Sequence, residues 1–556
     1  MSRFERDVIV TRLGNQMMSS DADSDQQPSS LHQRWIVGDG APLASLDSSG
    51  ALAYRRYANQ GQSTLLHILP DFSHAGYKMG GVAIPRLPER MRLSPSSGDE
   101  RARIQAAIDT VSKRQPDAVG FRGAVFLEKG TYNISHTLQI RASGVVVRGE
   151  GQGKSGTVLL ATKRSSHCLI QVAGTGDGFG EIKKTRACIT TATVPVGATS
   201  FEVTTTKSYN VGDTIVVLRT PNQAWIGALD MKTYGWKPSS YTIGHERRIL
   251  AIKHNTIYID IPIVDTIESA YGGGSIYRAN VVGRISQSGV ENMRLVSQYQ
   301  GDEDEDHGWV GVELSRATDS WVRRVTVQNF GYAAVSVRSQ SNFITVEEVA
   351  MLDPISRVTG GRRYSFNVSG GVGTLFQRCY ARGGRHNFVS GSRVTGPHVW
   401  LDSVAVDSLA DDGPHHRWAT GLLFDNTTGG QLNVQNRCSS GSGHGWAGAQ
   451  VLFWNAIASS IICDAPTGAM NWAIGCTGKK RKGRWAPREP CGCWESTGNA
   501  VQPRSLYLQQ LSDRLGESAV SAVTTATQRM GSIHAQLATW AGEGELGKGQ
   551  SAGNPT

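Results

Sequence analysis

The feature that most constrains this chain is a recurring segment. VENMRLVS, VRRVTVQN, VEEVAMLD, FQRCYARG, LDSVAVDS, VQNRCSSG and FWNAIASS follow one another through the second half of the 556 residues. Aligned at Met293, Val325, Val349, Cys379, Val404, Arg437 and Ala456, they step by 32, 24, 30, 25, 33 and 19 residues, about 27 on average. A period of about 20 to 50 residues marks a repeat architecture, because each unit is too small to bury its own apolar face and closes its core by stacking on its neighbours. Short runs of β-branched residues make that unit a coil of strands, hence a β-solenoid. A β-sandwich with regular turns is the alternative, but it has no need of one inward pattern on consecutive strands. The 65 glycines fit many strands joined by tight turns, and the lack of a three-residue glycine period excludes collagen.

Upstream, SPSSGDERARIQAAIDTVSKRQP reads as a helix. Ser97 with Glu100 forms a capping-box signature, Ile104, Ile108 and Val111 share one face, and Pro116 lies beyond the end. One apolar face suits this helix to covering an open end. Strands are expected next at Ala124–Leu127, Leu138–Ile140 and Val145–Val147. A helix leading into FLEKGTYNI and GVVVRGEG resembles the opening coils of the pectate-lyase-like superfamily, over roughly residues 70 to 510. The resemblance implies an all-β fold, a right-handed parallel β-helix with three short strands per coil, acting on a polysaccharide. It also implies an extracellular protein, although the first 30 residues contain no apolar core of signal-peptide type.

The organisation expected is a polar, disordered segment at 1–30, an N-terminal cap with the first coils at 31–186, an insertion at 187–272, the main β-helix at 273–500, and a C-terminal helix with a mobile tail at 501–556. The insertion reads as a small antiparallel β-barrel: VGDTIVVL alternates, and RRILAIKHNTIYIDIPI is a hairpin turning at His254-Asn255. SLYLQQLSDRLGESAVSAV is amphipathic and reads as a second cap. No run of 18 apolar residues is present, so no membrane span is expected. Cys463, Cys476, Cys491 and Cys493 lack the paired spacing of zinc sites and suit one or two disulfides in a secreted chain.

Five of the 14 histidines fall between 386 and 444: His386, His398, His415, His416 and His444. His386, His415 and His444 are 29 residues apart, about one coil, which would stack them on one wall. Around them lie Arg385, Arg417, Trp418, Arg437 and Trp446, and one coil earlier Arg363 and Tyr364. β-Elimination of a uronic-acid polymer needs such a set. Arginine neutralises the carboxylate, which acidifies the proton at C5; a base removes that proton and an acid protonates O4. The assignment is proton abstraction by His415 or His416, neutralisation by Arg417 with Arg385, and leaving-group protonation by Tyr364 or His444, with His386 in the same patch. Trp418, Trp446, Arg363, Arg437 and Asp412 are assigned to substrate binding, the tryptophans as platforms for sugar rings. Histidine ladders in solenoids also serve as hydrogen-bonded scaffolding, the structural alternative for each.

Asp411-Asp412 and Gly443-His444-Gly445 resemble the DD and GHG motifs of β-helix polygalacturonases, which keeps hydrolysis as the alternative reaction; a non-catalytic glycan-binding solenoid is the third reading. Neither the third carboxylate nor the basic motif that accompany those signatures is found. The run Asp302-Glu303-Asp304-Glu305-Asp306 is a candidate for calcium, as in several pectate lyases, but reads better as a solvated loop; no metal is assigned. The net charge of +10 favours an acidic polysaccharide partner. The one basic block, Lys479-Lys480-Arg481-Lys482-Gly483-Arg484, reads as a solvated loop too small for nucleic acid. The expectation is a monomer, with neither nucleic acid nor a membrane as partner.

Overall fold

The computed structural model describes residues 34–35, 41–176 and 180–547. The polar segment 1–30 and the end of the expected tail lie outside them. The chain forms a right-handed parallel β-helix, with 26 strands among the described residues joined into one continuous parallel sheet system. Its core is a set of ladders in which each coil places one residue above the last. One of these runs Val125, Val147, Val290, Val322, Val346, Phe376, Trp400, Phe424, Phe453. All nine are fully buried, and Phe376, Trp400 and Phe424 stack nearly parallel at 5.4 and 4.7 Å between ring centres.

The first recurring segments form a second ladder in the same sheet, and two of the later ones depart from it. Met293 pairs with Val325 and Val325 with Val349. Glu347–Gln377 and Ala350–Tyr380 continue the register into the Cys379 coil. Val404, however, pairs with Tyr380 rather than Cys379, and then with Thr428. Because strand side chains alternate between faces, this one-residue offset turns Val404 outward. It packs there with Leu537 and Trp540 of a C-terminal helix. Arg437 lies beyond the strand Thr428–Val434 and is no rung at all.

The helix Arg101–Ser112 covers the first coil through Ile104, Ile108 and Val111. It begins after the expected capping box: no side chain caps it, and the Glu100 carboxylate accepts from the Ser96 backbone N–H and pairs with Arg103 instead. The described C-terminal region holds four helices, Leu506–Leu515, Glu517–Val523, Ala526–Met530 and His534–Trp540, the first two separated at Gly516. The Ser505 hydroxyl caps the first by accepting from the Leu508 N–H at 3.1 Å. Leu506, Tyr507 and Leu511 lie against Leu401, Leu423 and Trp454 on a lateral sheet face, so these helices line the flank of the solenoid rather than close its end.

The insertion is an antiparallel barrel whose strands run from Gly180–Glu181 to Gly274–Asn280, wider at both ends than 187–272. An Ile189–Val203 bridge closes the ring around Ile215, Val217, Ile257 and Ile276. The hairpin joins Ile243–Lys253 to Thr256–Ile259 through His254, whose φ of 52° is left-handed. From the short helix Gln223–Ala228 and the segment that follows it, the barrel presents Trp225, Met231, Trp236 and Tyr241 to the solenoid, where they pack on Trp418, Trp446 and Ala449. All eight cysteines are free thiols, Cys463 and Cys476 buried, so the expected disulfides are absent among the described residues. No described helix is long and apolar enough to cross a membrane.

Candidate functional site

The strands Tyr364–Val368, His386–Ser390 and Asp411–Pro414 are consecutive rungs of one sheet, with Tyr364 paired to His386. After Pro414 the chain leaves the strand through His415, His416, Arg417 and Trp418; the last two adopt left-handed φ of 58° and 60°, turning it into the next strand. That turn brings the histidines together. His386 and His415 are 4.7 Å apart between ring centres, His415 and His444 5.3 Å, His415 and His416 5.2 Å, and His416 and His444 4.8 Å. The 29-residue spacing therefore points to a real cluster, but not as a ladder. The strand register steps by 24 residues from Val389 to Gly413, and His415 reaches His386 from beyond the strand end. His398 stays apart, buried, and accepts from the Thr374 N–H at 3.2 Å.

The centre of the cluster is a hydrogen-bonded chain. Arg437 Nη1 donates to His415 Nδ1 at 2.9 Å and to the His415 carbonyl at 2.6 Å, while His415 Nε2 lies 3.1 Å from the Tyr364 hydroxyl. Arginine can only donate, so Nδ1 is the accepting nitrogen and the imidazole proton sits on Nε2, pointing at the Tyr364 oxygen. Burial, then Arg437 and the neighbouring histidines, hold His415 far below the ordinary histidine range. With Nδ1 accepting from Arg437 and Nε2 protonated, His415 has no free lone pair in this structure, contrary to the expectation of a base, and its Nε2–H faces the Tyr364 oxygen. The tyrosine remains protonated at rest, because burial raises its pKa against the opposing charges of Arg385 and Arg437.

The other histidines are also neutral. Burial first, then His444 and Arg417, bring His416 to about 3. Burial, then Arg437 and Arg417, bring His444 to about 4. Burial brings His386 to about 4 against the raising effect of Asp411, whose backbone carbonyl accepts from His386 Nδ1. His416 and Arg417 are half-buried at the surface of the cluster, with His416 Nδ1 lacking a partner among the described residues. Arg417 Nη2 donates to the Ser442 carbonyl at 2.7 Å, and Arg385 donates to the Gly360 carbonyl. Arg363 is half-buried and tied to the Ser356 carbonyl at 3.1 Å through Nε.

Four substrate-binding expectations are corrected, the first of them Arg437, which is buried and donates to His415 instead of facing solvent. Trp418 and Trp446 are 1% and 2% exposed, enclosed by the barrel's Trp225, Met231 and Trp236, with Trp418 Nε1 donating to Asp265 at 3.1 Å. They anchor the insertion and offer no face to a sugar. Asp412 is also buried, because successive strand residues point to opposite faces. Asp411 faces out while the Asp412 carboxylate accepts the Asn387 N–H inside, where burial lifts its pKa to about 8. The two carboxylates thus cannot flank one glycosidic bond. The glycines of Gly443-His444-Gly445 have a packing cause. Both adopt left-handed φ, and a Cβ would meet the Tyr234 carbonyl at 2.2 Å and Met231 Sδ at 2.6 Å respectively. In the acidic run, Glu305 pairs with Arg362 and Arg357, and Asp304 with Arg164. Among the described residues no group of three or more histidine, cysteine or carboxylate side chains is placed to hold a metal.

No protein-family model matches the chain, and no curated protein matches it. Among solved structures it is similar to the tailspike protein gp49 from Pseudomonas phage LKA1, at 13% identity over 72% of this chain and 71% of that one, TM-score 0.31. It is similar to an alginate lyase from Paenibacillus sp. str. FPU-7, at 10% identity over 74% and 99%, TM-score 0.36. A third is the tailspike of E. coli bacteriophage HK620 in complex with pentasaccharide, at 11% identity over 70% and 55%, TM-score 0.37.

Proposed function

We propose that this protein binds an acidic polysaccharide along the lateral face bearing Tyr364, His416 and Arg417 and cleaves it by β-elimination at a uronic residue. The observation that carries the reading is the Arg437–His415–Tyr364 chain, a tyrosine hydroxyl held by a histidine whose protonation is itself fixed by a buried arginine. Arg417 and Arg385 neutralise the substrate carboxylate, acidifying the proton at C5. His416, neutral and half-buried, takes that proton; the incoming carboxylate offsets the positive surroundings that depress its basicity. The electron pair forms the C4–C5 double bond, the C4–O4 bond breaks, and Tyr364 gives its proton to O4. The Nε2–H of His415 stabilises the phenolate that remains, and proton return from His416 through solvent restores the site.

Alginate, polygalacturonate and hyaluronan, incubated with the wild type, Tyr364→Phe and His416→Ala, supply the test. The wild type is expected to release an ultraviolet-absorbing unsaturated product, and each variant to lose turnover by about 10²–10⁴-fold while still binding polymer. New reducing ends without absorbance would mean hydrolysis, and full turnover in both variants would place the chemistry elsewhere.

A further inference from the structure

Further along the same face a cavity of about 390 Å³ opens beside Asp411, walled by Asn433, Gln435, Arg481, Arg484 and Trp485. Its floor is the parallel ladder itself: Asp411 pairs with Gln431, and two residues along the same strands Asn433 pairs with Ile462 and Ile462 with Arg481. The basic block that reads as a solvated loop is thus an outer strand of the helix, Thr477–Arg481, and the turn that closes this cavity. Arg481, Lys482 and Arg484 make no ion pair among the described residues, and Asp411 is the one carboxylate among the cavity's lining residues. Three cations against one carboxylate leave the cavity with a positive excess, which favours an anion.

Two buried polar groups of the wall point to a ligand independently. Gln435 spends its oxygen on the Arg484 N–H at 2.8 Å, and its amide nitrogen has no partner among the described residues. Asn433 donates to Asp411 at 3.2 Å, and its oxygen likewise has none among the described residues. Both side chains are buried, where unpaired donors and acceptors are rare. A sugar ring bearing hydroxyls and a carboxylate offers partners for the donor, the acceptor and the cations together. Trp485 ties this wall to the histidine cluster, with the Arg437 and Arg484 guanidinium groups lying 5.0 and 5.3 Å from its ring centre.

We propose that this cavity is a second anionic-sugar subsite, so that the protein recognises a polymer carrying acidic groups on more than one residue rather than a single uronate at the cleavage point. This rests on the polysaccharide reading above. From the Tyr364 strand to the Lys479 strand is five strand spacings, about 24 Å at about 4.8 Å each, room for several sugar rings along the helix axis. The test is calorimetric titration of full-length Tyr364→Phe with size-defined galacturonate and alginate oligosaccharides. The same protein carrying Arg481→Gln and Arg484→Gln, both exposed positions, is titrated alongside, with the thermal midpoint as folding control. The pair of substitutions is expected to weaken hexasaccharide binding tenfold or more, to leave disaccharide binding unchanged, and to flatten the salt dependence. Equal hexasaccharide affinity in the two proteins overturns the subsite, as does failure of the parent to bind either series. If wild type makes no unsaturated product while the Arg481- and Arg484-dependent affinity is present, the subsite stands and the elimination reading falls.

Discussion

His386 lies in the floor of the cluster, 2% exposed, its ring edge-on to Tyr364 at 5.0 Å. Burial holds its pKa at about 4 against an ordinary 6.5, so the folded protein keeps it neutral where the unfolded chain takes up a proton. The sign follows from linkage: the unfolded state binds more protons between the two values, so stability is complete above pH about 6.5 and is lost as pH falls toward about 4. Going from about pH 7.5 to about pH 5, the ratio of unfolded to folded protonation factors changes nearly thirtyfold, about 2 kcal/mol from this one residue. At about 2.1 cal/mol/K per residue that is about 2 °C of thermal midpoint, so urea unfolding at several pH values is the better assay. His386→Gln retains an amide N–H for the Asp411 carbonyl and does not titrate. It should lose about 2 kcal/mol less than wild type over this range, the remaining histidines contributing to both proteins alike. Parallel losses within about 0.5 kcal/mol would refute the assignment of His386 as a buried neutral imidazole.

Trp418→Ala should cost about 3–5 kcal/mol and release the barrel, seen as faster proteolysis between 220 and 245, with oligosaccharide affinity of the remaining folded protein unchanged. Gly443→Ala puts a Cβ 2.2 Å from the Tyr234 carbonyl at a left-handed φ of 77°, and should lower the thermal midpoint by more than the same change at Gly531, where a Cβ meets nothing. Chelator treatment should leave both the thermal midpoint and turnover unchanged, since Asp304 and Glu305 are neutralised by arginines. Loss of turnover rescued by calcium would move the chemistry to the acidic run.

Much of the architecture is legible in the sequence, because what specifies it acts over short distances. The inward apolar residue of each coil, the helix face of Ile104, Ile108 and Val111, and the turn at His254-Asn255 are local patterns with local causes. The histidine cluster is legible as a concentration of residue types within about two coils. What the sequence leaves open is which way particular side chains face and what covers them. Val404 sits one residue off the Cys379 row because turn lengths reset the register, and alternation alone cannot detect a one-residue slip. Trp418 and Trp446 look like sugar platforms until a barrel nearly 200 residues earlier in the chain is seen to enclose them. His415 reads as a base until Arg437, a residue outside the ladder, takes its Nδ1 lone pair. In each case the deciding contact is made between segments far apart along the chain or on different coils. Its outcome depends on how the coils stack, which no window of neighbouring residues contains.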